Sequence, residues 1–148
     1  PYEALAEIYK KQGNHDAALL EAEHYVMLEQ MQVAPLLELV TAYAKRDQWA
    51  KVKTYGEMAL DISPGDPDLQ LILGKAYLAL GDGASALAAF DSALVIAPPL
   101  RRPAVAHLGR ARAYLALGDK AKARAALALA VKTEPAHAEV VELKKLLK

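Results

Sequence analysis

The sequence predicts an all-α protein, an α–α solenoid of antiparallel helix pairs with about nine helices. Three observations carry this. Tyr9, Tyr43, Tyr77 and Tyr114 stand 34, 34 and 37 residues apart, opening the stretches Tyr9-Lys-Lys-Gln-Gly13, Tyr43-Ala-Lys-Arg-Asp47, Tyr77-Leu-Ala-Leu-Gly81 and Tyr114-Leu-Ala-Leu-Gly118. A proline repeats in step at Pro64, Pro98 and Pro135. The apolar 54% of the 148 residues is largely Ala and Leu, strong helix formers, with one Phe and one Trp. A fixed period along the whole chain means stacked units, each burying its apolar face on its neighbours.

The third unit shows the local rules most fully. Asp66 suits an N-cap and Pro67 a first helical turn, so a first helix runs from Pro67 to about Leu80. Gly81 ends it by taking a left-handed conformation, and a second helix runs from Gly83 to about Ile96 before Pro98. Leu73, Gly74 and Tyr77 share one face of the first helix, as Ala86, Phe90 and Ala93 do on the second. Small Gly74 and Ala86 allow close approach, while Tyr77 and Phe90 fill the gaps on either side.

Leu73-Gly74-x-x-Tyr77, Gly81, Ala86, Phe90, Ala93 and Pro98 together resemble the tetratricopeptide repeat (TPR) signature. The other units resemble it in graded fashion. In the first, Leu5, Ala6, Tyr9, Gly13 and Ala18 fit, Tyr25 replaces a small residue, and Gln30 replaces the proline. The second matches at Leu39, Val40, Tyr43, Ala59 and Pro64, with Asp47, Val52 and Gly56 where glycine, alanine and an aromatic are usual. The fourth matches at Ala111, Tyr114, Gly118, Ala123, Leu127, Ala130 and Pro135. Arg110 stands there where an apolar residue is usual, which predicts a rotated or unusually exposed helix. Residues 136–148 read as a capping helix with Val140, Leu143 and Leu147 on one side. The expected division is one TPR domain over 1–148, with repeats at about 1–32, 33–66, 67–100 and 103–135 and the cap at 136–148. Pro98 to Pro103 is expected to form a longer turn. The chain opens at Pro1 inside a repeat, so a piece of a longer protein is expected, with Tyr2 and Leu5 packing on residues upstream. The resemblance also implies a right-handed superhelix whose inner wall is lined by the first helix of each pair.

Charge and composition bound the partners. The formal net charge is zero, but residues 1–66 hold 11 acidic and 6 basic side chains, and residues 67–148 hold 7 and 12. Zero net charge argues against non-specific nucleic-acid binding, which requires many phosphate-neutralising cations. No apolar run approaches the roughly 20 residues that span a bilayer. The absence of cysteine excludes disulfides and thiolate metal sites, and leaves a cytoplasmic or a periplasmic location open.

No catalytic set, metal site or cofactor site is expected. His15, His24, His107 and His137 form no i, i+4 pair. His107 and His137 fall near the starts of adjacent first helices, where packing or solvation outweighs metal binding. Gly81-Asp82-Gly83 is a turn between helices, since no strand precedes it. Trp49 is expected to cover a turn.

The better candidate is the inner wall. The ligand-facing stripe of TPR relatives, carried onto this chain, is Glu3, Glu7 and Lys10, then Leu37, Thr41 and Ala44, then Leu71, Lys75 and Leu78. Leu108, Arg112 and Leu115 continue it, followed by Glu142 and Leu146 from the cap. The expected groove residues are therefore Leu37, Thr41, Leu71, Lys75, Leu78, Leu108, Arg112 and Leu115, although Leu37, Leu71 and Leu108 fit packing between repeats equally well. Lys75 and Arg112 in an apolar wall suit a protein or peptide with apolar anchors and an acidic group. The carboxylate clamp of TPR co-chaperones is ruled out, because its places hold Leu37, Thr41, Ile72, Val105 and Gly109, or Glu3, Glu7, Glu38, Asp68 and Ile72. Three roles follow. The leading one is a non-catalytic interaction scaffold within a larger bacterial assembly or secretion protein. The others are a spacer or self-association module, acidic end to basic end, and a domain that regulates or positions an enzyme elsewhere in a longer chain.

Overall fold

The computed structural model describes residues 2–29, 31–96 and 101–148, with the side chains of Tyr2 and Glu3 set aside. The expectations for Gln30, for Pro98 and its neighbours up to Leu100, for the packing of Tyr2 and for Glu3 on the inner wall lie outside these described residues. Among the described residues there are nine α-helices and no strand. Contacts divide the chain into two compact units, Pro1–Pro64 and Gly65–Lys148. The first holds α1 (Tyr2–Lys11), α2 (His15–Leu28), α3 (Val33–Ala44) and α4 (Trp49–Ile62). The second holds α5 (Pro67–Ala79), α6 (Gly83–Val95), α7 (Pro103–Ala116), α8 (Lys120–Thr133) and α9 (Ala138–Leu146).

The tyrosine period has a backbone cause. In each pair the first helix ends in the same two-bond motif, with one residue in the left-handed region. Asn14, Gln48, Asp82 and Asp119 donate their N–H to the carbonyls of Tyr9, Tyr43, Tyr77 and Tyr114 at 2.8–3.0 Å. Gly13, Gly81 and Gly118 take the left-handed position, with φ of 73°, 81° and 80°, and Asp47 takes it with φ of 54°. Three of the same donors then start the next helix. Asn14, Asp82 and Asp119 accept through their side chains from Ala17, Ser85 and Lys122 N–H, whereas Gln48 makes no such bond. Each tyrosine thus marks the last turn before the chain doubles back.

The core of Pro1–Pro64 is built from Leu36, Leu39, Val40 and Tyr43 of α3 against Val52, Tyr55 and Ala59 of α4, with Ala6, Ala18 and Val26 added from α1 and α2. In Gly65–Lys148, Phe90 is 1% exposed and packs with Ala86 of α6 and Ala113 of α7. A methyl group added to Gly74 would fall 2.7 Å from the Phe90 ring, and one on Gly109 closer still. Both glycines are therefore the space the ring occupies. A second cluster joins Leu108 and Ala111 of α7, Ala123, Ala126, Leu127 and Ala130 of α8, and Val140, Leu143 and Leu147 at α9.

Arg110 does not leave α7 unusually exposed, contrary to one of the two expectations for it. It is half-buried, and its Nε lies 2.7 Å from Asp91 Oδ1 of α6 as an ion pair without hydrogen-bond alignment. Ala104, Ala106, Leu108, Gly109, Ala111 and Ala113 keep the rest of α7 buried. The charge is tolerated because a carboxylate on the neighbouring helix meets it.

Candidate functional site

The eight expected groove residues divide between the two units, Leu37 and Thr41 in the first and the other six in the second. In the second unit, α5 carries Leu71, Lys75 and Leu78 in one row. Leu71 and Leu78 are half-buried against the Ala86–Phe90–Ala113 cluster, and Lys75 between them is exposed. Lys75 makes no ion pair among the described residues.

The row on α7 is different. Leu108 is 1% exposed inside the α7–α8–α9 core, which leaves it no surface to offer a ligand. Leu115 is half-buried against the same cluster. Arg112 has a task that spacing alone did not reveal. Its Nε donates to Glu139 Oε2 at 3.1 Å and its Nη2 to Glu142 Oε2 at 3.0 Å, so α9 already neutralises it. Of the two cations expected to meet a partner, only Lys75 is left unneutralised.

In the first unit, Leu37 and Thr41 line a surface cleft of about 940 Å³ between α2 and α3. Its floor is apolar, from Ala18, Leu19 and Ala22 on α2 and Ala34, Leu37, Leu39 and Ala42 on α3. Its rim is mostly basic: Lys10, Lys45 and Arg46 stand there with His15 and a single carboxylate, Glu38. Lys10 Nζ lies 3.3 Å from Glu38 and 3.0 Å from Glu7, all three exposed. Arg46 pairs with Asp16, and Lys45 has no ion pair among the described residues. The glutamates beside Lys10 raise its pKa, so it is charged at every physiological pH. Thr41 Oγ1 donates to the Leu37 carbonyl at 2.8 Å, so its hydroxyl proton is used within α3. Lys45, Arg46, Leu19 and Ala22 lie outside the expected stripe. The sequence signal for them is Ala22, a small residue thirteen places after Tyr9, where Phe90 stands thirteen after Tyr77.

The strongest polar cluster is structural. Glu23 Oε1 accepts from Tyr43 OH and from Lys51 Nζ, each at 2.6 Å, tying α2 to α3 and α4. Lys51 also sits 4.7 Å above the Tyr43 ring, and Tyr43 stacks on Tyr55 with ring centres 5.9 Å apart. Burial alone would raise the Glu23 carboxyl, but the hydrogen bonds from Lys51 and Tyr43 outweigh it and hold the carboxyl below the ordinary value. Burial, then the hydrogen bond to Glu23 and its charge, pushes the Tyr55 phenol up to about 12.

Of the four histidines, His137 caps a helix and His107 is half-buried, while His15 and His24 are exposed. His137 Nδ1 accepts from Glu139 N–H at 3.2 Å and starts α9. Burial, then the charge of Arg110, keeps His107 below the ordinary imidazole range. Among the described residues no group of three or more potential ligands is placed to hold a metal ion, and no helix is long and apolar enough to cross a membrane.

Two stretches of the chain match a known family model. Residues 67–92 and 104–128 match the family model described as tetratricopeptide repeat. No curated protein matches in sequence. Among solved structures, the MamA protein is similar over 99% of this chain and 78% of its own, at 17% identity and a TM-score of 0.83. PilW, described as a widely conserved type IV pilus biogenesis factor, is similar over 99% of this chain and 68% of its own, at 20% identity and a TM-score of 0.74. The first TPR of Spaghetti (RPAP3), bound to the HSP90 peptide SRMEEVD, covers 77% of this chain and 89% of its own, at 23% identity and a TM-score of 0.68. At these identities the likeness is one of fold, and the fold is the all-α helical repeat.

Proposed function

We propose that this chain, whose helix pairs at 67–92 and 104–128 are tetratricopeptide repeats, is a non-catalytic scaffold that holds a segment of a partner protein against its first-type helices. We read its helix pairs as four repeats closed by α9, forming the binding part of a larger bacterial assembly or secretion protein. One observation carries the reading: the apolar cleft beneath Leu37 and Thr41, with a mostly basic rim and no catalytic set beside it. Such a surface gives an extended segment apolar anchorage and rewards an acidic group. The exposed Lys75 between Leu71 and Leu78 offers a smaller surface of the same character. The RPAP3 repeat holds a peptide and PilW serves pilus biogenesis, which support peptide binding and an assembly role for this chain by analogy.

The test is a selection of random displayed peptides on the whole chain, followed by anisotropy titration of the winners. Leu37→Asp or Lys75→Glu is expected to weaken them at least about tenfold with the helical circular dichroism unchanged. Failure to select any peptide, or winners indifferent to both substitutions, overturns the reading. Arg112 is left out because its loss would disturb α9.

The opposite charge of residues 1–66 and 67–148 favours self-association as a second reading. It requires oligomers in sedimentation at low salt that dissociate at high salt.

A further inference from the structure

We infer that the flank where α8 meets α9 is a docking surface for a short acidic segment of a partner protein, a run of Asp or Glu side chains, acting apart from the groove. Residues 120–148 hold seven Lys and Arg side chains and three carboxylates. The carboxylates are already engaged by cations at the start of α7 and within it, Glu134 by Arg102, and Glu139 and Glu142 by Arg112. Of the seven cations, Lys122 alone has a carboxylate partner among the described residues, Asp119. Folding therefore leaves most of the positive charge of this stretch uncompensated. Packing then gathers part of it in one place. Arg124 of α8 donates its Nε to the Leu147 carbonyl at 2.9 Å, which sets the end of α9 beside the row of Lys120 and Arg124. Lys144 and Lys148 share a row of α9, and the exposed Val141 stands on that row three residues before Lys144. Glu139 and Glu142 lie on another row, turned to Arg112 of α7.

Helix stability explains some of these cations and not others. Lys144 and Lys145 sit in the last turn of α9, where the helix dipole favours them, and Arg124 satisfies the Leu147 carbonyl. Lys120 opens α8, in a first turn with no acidic residue, where the same dipole disfavours a cation. It is exposed and has no ion pair among the described residues in return. A cation held at a cost to its own helix fits a binding surface better than a solvated face.

The chemistry of the surface selects the partner. Its charges are mostly lysine ammonium groups, point charges on flexible stems, and no buried polar side chain stands among the described residues to clamp one carboxylate or phosphate. Charge density is what it offers, so several carboxylates in a row match it better than a single anion. The surface is also short: Lys120 to Arg124 and Lys144 to Lys148 each rise about 6 Å, and about four to six extended residues cover both rows. A long polyanion or an anionic lipid surface would meet the rest of a chain whose net charge is zero, which a short segment does not. A second copy offers no matching run. Glu7, Asp16, Glu23 and Glu38 of its acidic half are already paired, and Glu29, Asp47 and Asp61 lie on separate elements.

The probe is blocked hexaglutamate, with hexaglutamine and hexalysine as controls, titrated into the isotope-labelled whole chain and followed by amide chemical shifts. Hexaglutamate is expected to move amides of α8 and α9 around Lys120, Arg124, Lys144 and Lys148, and to bind at least about tenfold tighter than either control. Lys120→Glu is expected to weaken it at least about fivefold while raising the melting temperature by roughly 1–4 °C, since losing the docking charge also suits the helix dipole. Lys148→Gln is the milder variant on the other helix, with the same expected direction for binding. Lys132→Glu makes the same charge change two turns beyond Arg124, farther than a Debye length, and is expected to leave binding within about twofold. Shifts spread over all exposed lysines, or equal losses in Lys132→Glu and Lys120→Glu, would reduce the effect to net charge and overturn the surface. Tighter binding of single-stranded oligothymidylate or of phosphatidylserine vesicles would overturn it in favour of a nucleic-acid or membrane face. Oligomers that Lys120→Glu dissolves would put a second copy in place of the acidic partner. Hexaglutamate binding that survives Leu37→Asp and Lys75→Glu separates this surface from the groove, and binding lost in either variant would assign the peptide to the groove instead.

Discussion

Asp47 holds the left-handed conformation that glycine holds in the three other turns, with φ of 54°. A side chain there costs energy that glycine does not incur, so Asp47→Gly is expected to stabilise the first unit by roughly 1 kcal/mol. A higher urea midpoint with unchanged slope would show this, and a lower midpoint would mean that Asp47 contributes something glycine cannot replace. Glu23 supplies a pH prediction. Its carboxyl is held below its ordinary 4.5, so its contribution is present above that value and fades as pH falls through the lower native one. Glu23→Gln should therefore flatten the acid limb of the stability curve. The Tyr55 phenol, held at about 12, contributes stability that is complete below its ordinary 10 and is lost as pH rises toward 12. Its ultraviolet titration should move downward in Glu23→Gln, though only partly, because burial is the larger cause. Asp47 was visible in the sequence as a departure from the glycine pattern. The Glu23 cluster was not, because its members lie 20 and 28 residues apart and meet only once α2, α3 and α4 pack.

Among the helices, α9 shows how packing and ion pairing divide their work. Val140, Leu143 and Leu147 are buried against α7 and α8, while Arg112 joins Glu139 and Glu142 across the surface. Leu143→Ala should cost about 2–5 kcal/mol, since the side chain is fully buried. Arg112→Gln should speed amide exchange in α9 only about two- to fivefold, because half-exposed ion pairs are worth little. Equal effects in exchange and denaturation experiments would mean that the ion pairs, and not the apolar face, hold α9. The apolar face of α9 was legible from helical spacing, since residues on one face recur at fixed intervals. The fate of Leu108 and Arg112 was not. Spacing places a residue on a face but does not say what stands opposite, and α9 stands opposite both.

Phe90 carries consequences for the molecule as a whole. Phe90→Ala should cost about 3–5 kcal/mol by emptying a seat walled by Gly74 and Gly109. The single tryptophan, Trp49, lies in the first unit, so its fluorescence reports α4 while circular dichroism reports every helix. In Phe90→Ala the circular dichroism transition is expected to begin at lower denaturant than the fluorescence transition, since repeat stability is a sum of local and neighbour terms. Coincident transitions would show that destabilising the second unit destabilises the first equally. Periodicity, glycine and proline placement, and the Ala and Leu content were enough to specify an all-α chain of helix pairs, because these features act through local backbone geometry. The burial of Leu108, the pairing of Arg112 with α9 and the cleft between α2 and α3 needed the folded chain. Each depends on which side chain from a distant helix fills, neutralises or leaves empty the space in front of it, and no local rule carries that information.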